Sequence, residues 1–295
     1  MKGQKLTRFS PIWGAVAALI LVVFCFEFLD NTVSAGERPV EGASPLPSST
    51  MLQVGEELEY KVSYSFFNLG TIRFKILEKY ERRGRTIFKA LSLIDSNPSI
   101  PFVDLHIRFV SEIDQEMYSH SWLADDSSKS EIVSRLFVFE YDNKRVLVVN
   151  SRRKAGSSLV TAEKVDTFAI SDRLQDGLSL FFYAREHVRD QKPHVVPTFI
   201  DKKQVITNIN FMNLRTEAEI DAVDYPVEVV EFDGRMDYEG VYGLTGYFQG
   251  WFTNDEARIP IVARMKVILG SVKVQLQKWQ RGGWQPPKYM ETAAK

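Results

Sequence analysis

The sequence predicts a mainly β protein: an antiparallel, strongly curved sheet or open barrel with one packed α-helix at about 171–189. Three observations predict it. Apolar and polar residues alternate with period two in segment after segment from Leu58 onward. Side chains on a strand point alternately to its two faces, so this pattern buries one face and wets the other. Turn-forming residues separate the segments. Only the stretch 171–189 carries an apolar stripe of helical period.

The chain begins with a different signal. Lys2, Lys5 and Arg8 form a positive stretch, residues 12–26 are an apolar run, and Val33-Ser34-Ala35 places short side chains before Gly36. That is the pattern of a signal peptide, with cleavage expected after Ala35. Residues 12–29 are also long enough to anchor the chain in a bilayer if cleavage fails, so both readings stay open. Phe24 precedes the lone cysteine, Cys25, and apolar residues follow it, which rejects lipidation. Residues 36–51 hold Pro39, Pro45, Pro47 and several serines and read as a linker. A single β domain is expected over 52–280, followed by a tail over 281–295.

Composition narrows the function. The whole chain has 37 Lys+Arg, 38 Asp+Glu, 4 His and 1 Cys, for a net charge of −1. Without residues 1–35 the balance is 34 basic against 36 acidic side chains. Nothing in it suggests a nucleic-acid partner, which needs a basic surface. One cysteine makes neither an internal disulfide nor a zinc site. The expected location is the periplasm, with membrane contact only through an uncleaved N-terminal segment.

The strands follow in order. Leu58, Tyr60, Val62, Tyr64 and Phe66 alternate with polar residues, and Asn68-Leu69-Gly70 is the expected turn. Ile72, Phe74 and Ile76 lead to a second turn at Glu81-Arg82-Arg83-Gly84, and residues 86–93 return. Leu105, Ile107 and Phe109 form the next strand. Residues 132–141 and 146–149 flank the hairpin turn Asp142-Asn143-Lys144. Ser171 is placed as the helix N-cap with Asp172 in its first turn, and Leu174, Leu178, Phe181, Phe182 and Val188 as its buried stripe. Val205, Thr207, Ile209 and Phe211 then form a strand, with 214–220 as its partner.

The C-terminal stretch Gly250-Trp251-Phe252-Thr253-Asn254-Asp255-Glu256-Ala257-Arg258-Ile259-Pro260 reads as a strand, a turn and a second strand opening at Pro260. A proline there removes a donor that the strand end does not need. A third strand follows a turn at Leu269-Gly270-Ser271.

Three motifs carry a family resemblance. They are Gly55-Glu56-Glu57-Leu58-Glu59-Tyr60-Lys61-Val62, the helix start Asp176-Gly177-Leu178-Ser179, and the Gly250-Trp251-Phe252 to Pro260 stretch with its later Gly270-Ser271. The sequence over 52–280 resembles the bacterial exported family DUF3108. The resemblance implies a periplasmic or surface β protein, similar in shape to the open barrels of lipoprotein carriers. It implies no activity and no catalytic residues.

Candidate sites are weighed on that basis. Among the histidines His106, His120, His187 and His194 there is no zinc-protease spacing, and neither a nucleophile elbow nor a phosphate loop appears. No catalytic residue, metal or cofactor is therefore expected, and the protein reads as non-enzymatic. Tyr238, Tyr242, Tyr247 and Trp251, interleaved with Gly240, Gly243, Gly246 and Gly250, suggest either an aromatic lip or bends in a curved sheet. Together with Phe181 and Phe182 the four aromatics form the expected groove, between sheet and helix, for an apolar or lipid-like ligand or an envelope protein partner. The alternatives are a structural or assembly factor of the envelope with no small ligand, and an envelope enzyme. Asp176, Ser179, Gly250, Asp255, Arg258, Pro260 and Gly270 are expected to hold the structure. Asp176 would pair with a buried arginine. Asp255 and Glu256 would be wet, beside a local ion pair to Arg258.

Overall fold

A computed structural model describes residues 51–100, 104–157, 160–236, 246–266 and 271–291. The export segment, nearly all of the linker, Tyr238, Tyr242 and Gly270 lie outside the described residues. The strands are β1 (Glu57–Tyr64), β2 (Phe67–Arg82), β3 (Arg85–Ser96), β4 (His106–Asp114), β5 (Ser119–Asp126), β6 (Glu131–Glu140), β7 (Arg145–Lys154) and β8 (Thr161–Ala169). The helix α1 (Ser179–His187) follows. After it come β9 (Pro193–Ile200), β10 (Lys203–Ala218), β11 (Val227–Met236), β12 (Gly246–Thr253), β13 (Pro260–Lys266) and β14 (Ser271–Gln280).

These strands form one antiparallel sheet in the order β8-β7-β6-β5-β4-β3-β2-β1-β14-β13-β12-β11-β10-β9. Each strand pairs with its sequence neighbour, the arrangement a meander produces. The exceptions are β1, which pairs with β14, and β8 and β9, which are the two edges. The sheet rolls until those edges approach. Side chains, not a ladder, close the seam. Phe199 of β9 packs on Phe137 at 5.1 Å and Phe168 at 5.8 Å. Asp201 pairs with Arg135 at 3.3 Å, and Lys202 with Asp166 at 3.1 Å. The backbone of Gln175 covers part of the β9 edge, donating to Pro197 O and accepting from Phe199 N. A covered edge has no free ladder to offer another chain.

The predicted strands form, with local corrections. The first hairpin turns at Ser65-Phe66, and Asn68-Leu69-Gly70 belongs to β2. Gly70 is there for space: a Cβ would lie 2.2 Å from Asp95 O. Arg83 and Gly84, with φ of 53° and 72°, make the two-residue turn that matches strand twist. Residues 214–218 continue β10 instead of forming its partner. The register slips between Phe211 and Leu214, where Asn213 has φ 49°, and this bulge ends the clean alternation.

The helix is nine residues long, shorter than 171–189. Ser171 is exposed and donates to Asp172, so neither caps a helix. Asp176 does that work: Oδ1 accepts from Leu178 N at 2.6 Å and Ser179 N at 2.8 Å. Residues 171–178 bury Leu174 and Leu178 without being helical. A stripe of helical spacing therefore extended past the helix itself, and Gly177 beside the cap gives the helix no support there.

α1 lies inside the roll. Leu178 and Phe182 join the core of β2 to β7, and Ala184 joins that of β9 to β12.

Candidate functional site

Directly opposed residues of an antiparallel pair share a face. Phe74 marks the inner face, because its ring stacks on Phe181 of α1 at 4.3 Å. From Phe74 the inner wall runs through Ser92, Phe109 and Ala124 on one side. On the other it runs from Tyr60 through Leu276, and then through Val274, Ala263, Gly250 and Phe232.

Along this wall burial changes from one end of the roll to the other. At the helix end Ile76, Ile113, Val146, Ile261 and Leu276 are buried, and α1 fills the space between the walls. At the far end Val62, Ile72, Ile94, Ile107, Met265 and Val272 point to the same interior and are only half-buried. The inner wall is thus packed around α1 at one end and apolar but only half-buried at the other. Phe66, 83% exposed, stands on the rim beside Phe67 at 4.1 Å.

The family motifs build the plug. Asp176 is buried beneath α1, where Oδ2 accepts from Ser119 at 2.7 Å and Ser111 at 2.9 Å. Ser179 Oγ lies 2.7 Å from Ser119 Oγ. No arginine pairs with Asp176 among these contacts; serine hydroxyls and helix N–H groups replace the expected ion pair. Burial raises the Asp176 pKa, opposed by those hydrogen bonds. The buried arginine of the helix is Arg185, which binds Glu56 of the first motif. It also donates to Met51 O at 3.2 Å and Ala257 O at 2.9 Å, and Arg281 joins Glu56 from the other side.

Asp255 is also not a wet turn residue. Oδ1 accepts from Thr253 Oγ1 and from the backbones of Ala257 and Arg258, and Oδ2 from Trp284 Nε1 at 2.7 Å. Arg258 reaches the end of α1, binding Glu186 O and its carboxylate at 3.5 Å. The expected local pair with its own hairpin is replaced by a helix clamp, favoured by the partial negative charge of a helix C-terminus. Glu256, the exposed neighbour, pairs with Arg189. Pro260 opens β13 as expected, and its O accepts from Tyr60 Oη at 3.0 Å.

Among the described residues, Phe181, Phe182, Tyr247 and Trp251 do not come together in one groove; Tyr238 and Tyr242 lie outside them. Phe182 is 1% exposed and belongs to the core. Phe181 is half-buried between Phe74 and Phe252. Trp251 opposes Glu231 and Val262 on the outer face, donates to Glu231 and lies under Arg264. Tyr247, 41% exposed, alternates with inner-facing Phe248 and donates to Asp233. The reason is the period-two pattern itself: adjacent aromatics on β12 must split between faces. Gly250 serves packing. A Cβ there would sit 2.3 Å from the Phe232 ring, and the Phe248 ring covers Gly234 in the same way.

One grouping was readable only as the spacing His-x2-Asp-x3-His. His187 ends α1, Asp190 lies in the turn and His194 is the second residue of β9. Their ligand atoms lie within 4.8 Å of one another. Burial and the neighbouring His187 hold the His194 pKa below its usual value. Elsewhere His120 binds the buried carboxylate Asp114 at 3.1 Å, and His106 binds Asp95 at 2.8 Å.

The fold and this interior define a rolled, open antiparallel β-barrel-like protein with a helical plug. The chain belongs to the DUF3108 family, described as proteins of unknown function, whose model matches residues 59–277. A comparison with curated proteins finds no match. Among solved structures, the chain is similar to a β-barrel-like protein of the domain of unknown function DUF1849 from Brucella abortus. The two share 11% identity with a TM-score of 0.47, over 77% of this chain and 97% of that one. It is also similar, at 7% identity and TM-score 0.31, to a protein with a YmcC-like fold from Bacteroides fragilis, over 78% of this chain and 97% of that one.

Proposed function

We propose that this is an exported, non-enzymatic cell-envelope protein that holds an apolar or lipid-like ligand in the open half of the roll. The observation that carries the reading is the burial gradient on one continuous inner wall. Val62, Ile72, Ile94, Ile107, Met265 and Val272 converge on the interior yet remain half-buried. Leaving apolar surface wet forgoes roughly 25 cal/mol per Å² of stabilisation, which an acyl chain laid on that wall recovers. The site is the inner wall beyond the helix, in place of the sheet–helix groove, because α1 fills that groove with its own side chains. Phe66 on the rim offers a first contact to an apolar donor surface. Export rests on the N-terminal pattern of positive, apolar and small residues.

Native mass spectrometry of protein purified from its own envelope tests the reading. The expected result is a co-purifying species of lipid mass, lost in Ile72→Glu and retained in Trp251→Ala, which alters only the outer face. A ligand-free spectrum for the wild type, with Ile72→Glu and wild type alike, would instead favour an assembly factor without a small ligand.

A further inference from the structure

A cluster of two histidines and an aspartate stands at the end of the helix. His194 is held rigidly: its ring meets Phe211 edge-on at 4.9 Å, and Nδ1 lies 2.8 Å from Tyr183 Oη. Its side chain is only 10% exposed, and its Nε2 is buried without a hydrogen-bond partner. Nε2 lies 3.3 Å from Asp190 Oδ2, and the same oxygen lies 2.8 Å from His187 Nδ1. A buried polar atom left unpaired is destabilising, so an arrangement that orients one so firmly calls for a reason.

We propose that His187, Asp190 and His194 bind a divalent zinc ion. Two imidazoles and one carboxylate are a zinc donor set, and at metal–ligand distances of about 2.0–2.2 Å the donors of a tetrahedral ion stand about 3.3 Å apart. The observed donor separations, 2.8 Å and 3.3 Å with all three atoms within 4.8 Å, bracket that value. Tyr183 supplies what such sites have behind a ligand: a partner on the far ring nitrogen that fixes the ring and leaves Nε2 to face the ion. The backbone supports the loop, since Asp190 N donates to His187 O at 2.9 Å and closes the turn that brings the carboxylate between the rings. Three protein ligands leave a fourth position for water or for a group from another molecule. The ion would also tie the end of α1 to the first residues of β9, the segment that leads into the seam. This site is separate from the open apolar wall and does not depend on it.

The test uses the full chain made without a histidine tag, stripped of metal and titrated with Co²⁺ and then Zn²⁺. One equivalent of Co²⁺ should give the visible absorption of a four-coordinate site, and Zn²⁺ should displace it. His194→Ala and His187→Gln should each weaken Zn²⁺ binding more than a hundredfold, and Tyr183→Phe about tenfold. Zn²⁺ should raise the Tm of the wild type and leave that of His187→Gln unmoved. His187 is partly exposed, so that variant keeps the test intact if His194→Ala fails to fold. His106→Ala, whose partners are Asp95 and Asp104, should bind like the wild type. Absence of a one-to-one endpoint, or His187→Gln binding as tightly as the wild type, would overturn the proposal.

Discussion

Arg185 and Glu56 meet through two parallel hydrogen bonds, Nη1 to Oε1 at 2.6 Å and Nη2 to Oε2 at 2.9 Å, with both side chains shut away from water. The pair joins the middle of α1 to the segment just before β1; Ala257 O accepts from Nε and Nη2, and Met51 O from Nη2. Removing one member of a buried pair leaves an uncompensated charge and costs about 3–5 kcal/mol. Glu56→Gln strands two guanidiniums, Arg185 and Arg281, and should show that full loss in urea denaturation. Arg281→Gln keeps the bidentate pair and should lose less than half as much.

Asp114 gives the protein an acid-sensitive joint. Its carboxylate is buried, which alone would raise the pKa, but the His120 hydrogen bond and the Arg173 charge outweigh burial and lower it below 3.8. Glu112 is likewise lowered from 4.5: burial opposes the change, and Tyr80 and Arg82 bring it about. A carboxylate with a depressed folded pKa contributes stability that is present above its unfolded pKa and lost as pH falls through the folded one. Melting temperature should therefore drop steeply as pH falls below about 4.5. Asp114→Asn should start lower at neutral pH and show a shallower acid limb. An acid limb identical to wild type would remove Asp114 from this role.

Asp176 should behave in the opposite sense. Its folded pKa is raised by burial, so its contribution is greatest below the unfolded value of 3.8 and declines as pH rises through the folded pKa. Asp176→Asn keeps an acceptor for the N–H groups of Leu178 and Ser179 and loses the buried charge. Asp176→Ala loses both and leaves the buried hydroxyls of Ser111 and Ser119 without their acceptor, at about 1–3 kcal/mol. Measured by chemical denaturation at each pH, the stability of Asp176→Asn relative to wild type should increase as pH rises, because only the wild type then has a charge to bury.

Gly250 is a packing residue. Gly250→Val drives a side chain into Phe232 and should cost about 1–3 kcal/mol, the range for overpacking a core. Adding Phe232→Leu should return part of that loss, because it removes the ring that the new methyl groups meet. Equal stability of Gly250→Val and wild type would mean that the strand bends freely there.

The alternation at Leu58, Tyr60 and Val62 was enough to predict β1 and its inner face, because period two is a local property. Pro260 likewise marked the start of β13. What the sequence withheld is long-range. Nothing near Glu56 points to Arg185, 129 positions away. Nothing near Arg258 points to the carbonyl of Glu186. The helix was placed too early because Leu174 and Leu178 have helical spacing while Asp176, between them, starts the helix only at Ser179. Tyr247 and Trp251 were grouped with Phe181 and Phe182 by composition, whereas strand geometry sends them outward. The half-buried wall was invisible for another reason: six strands, from both ends of the chain, contribute one residue each to it, so no segment carries its signature.

The pairing of β1 with β14 sets the order in which the sheet can be completed. Tyr64 and Val272 are partners across more than two hundred residues of chain. Closing a loop of that length carries an entropic cost that only finished flanking hairpins can offset. Each meander can zip as it is made or delivered, but the central ladder must wait for the final strand. A chain that emerges N-terminus first therefore holds β1 as a bare edge until the end. Relocating the termini to the β8–α1 connection, and joining the present ends, would turn β1 and β14 into neighbours in sequence. Such a permutant should refold faster than the natural order.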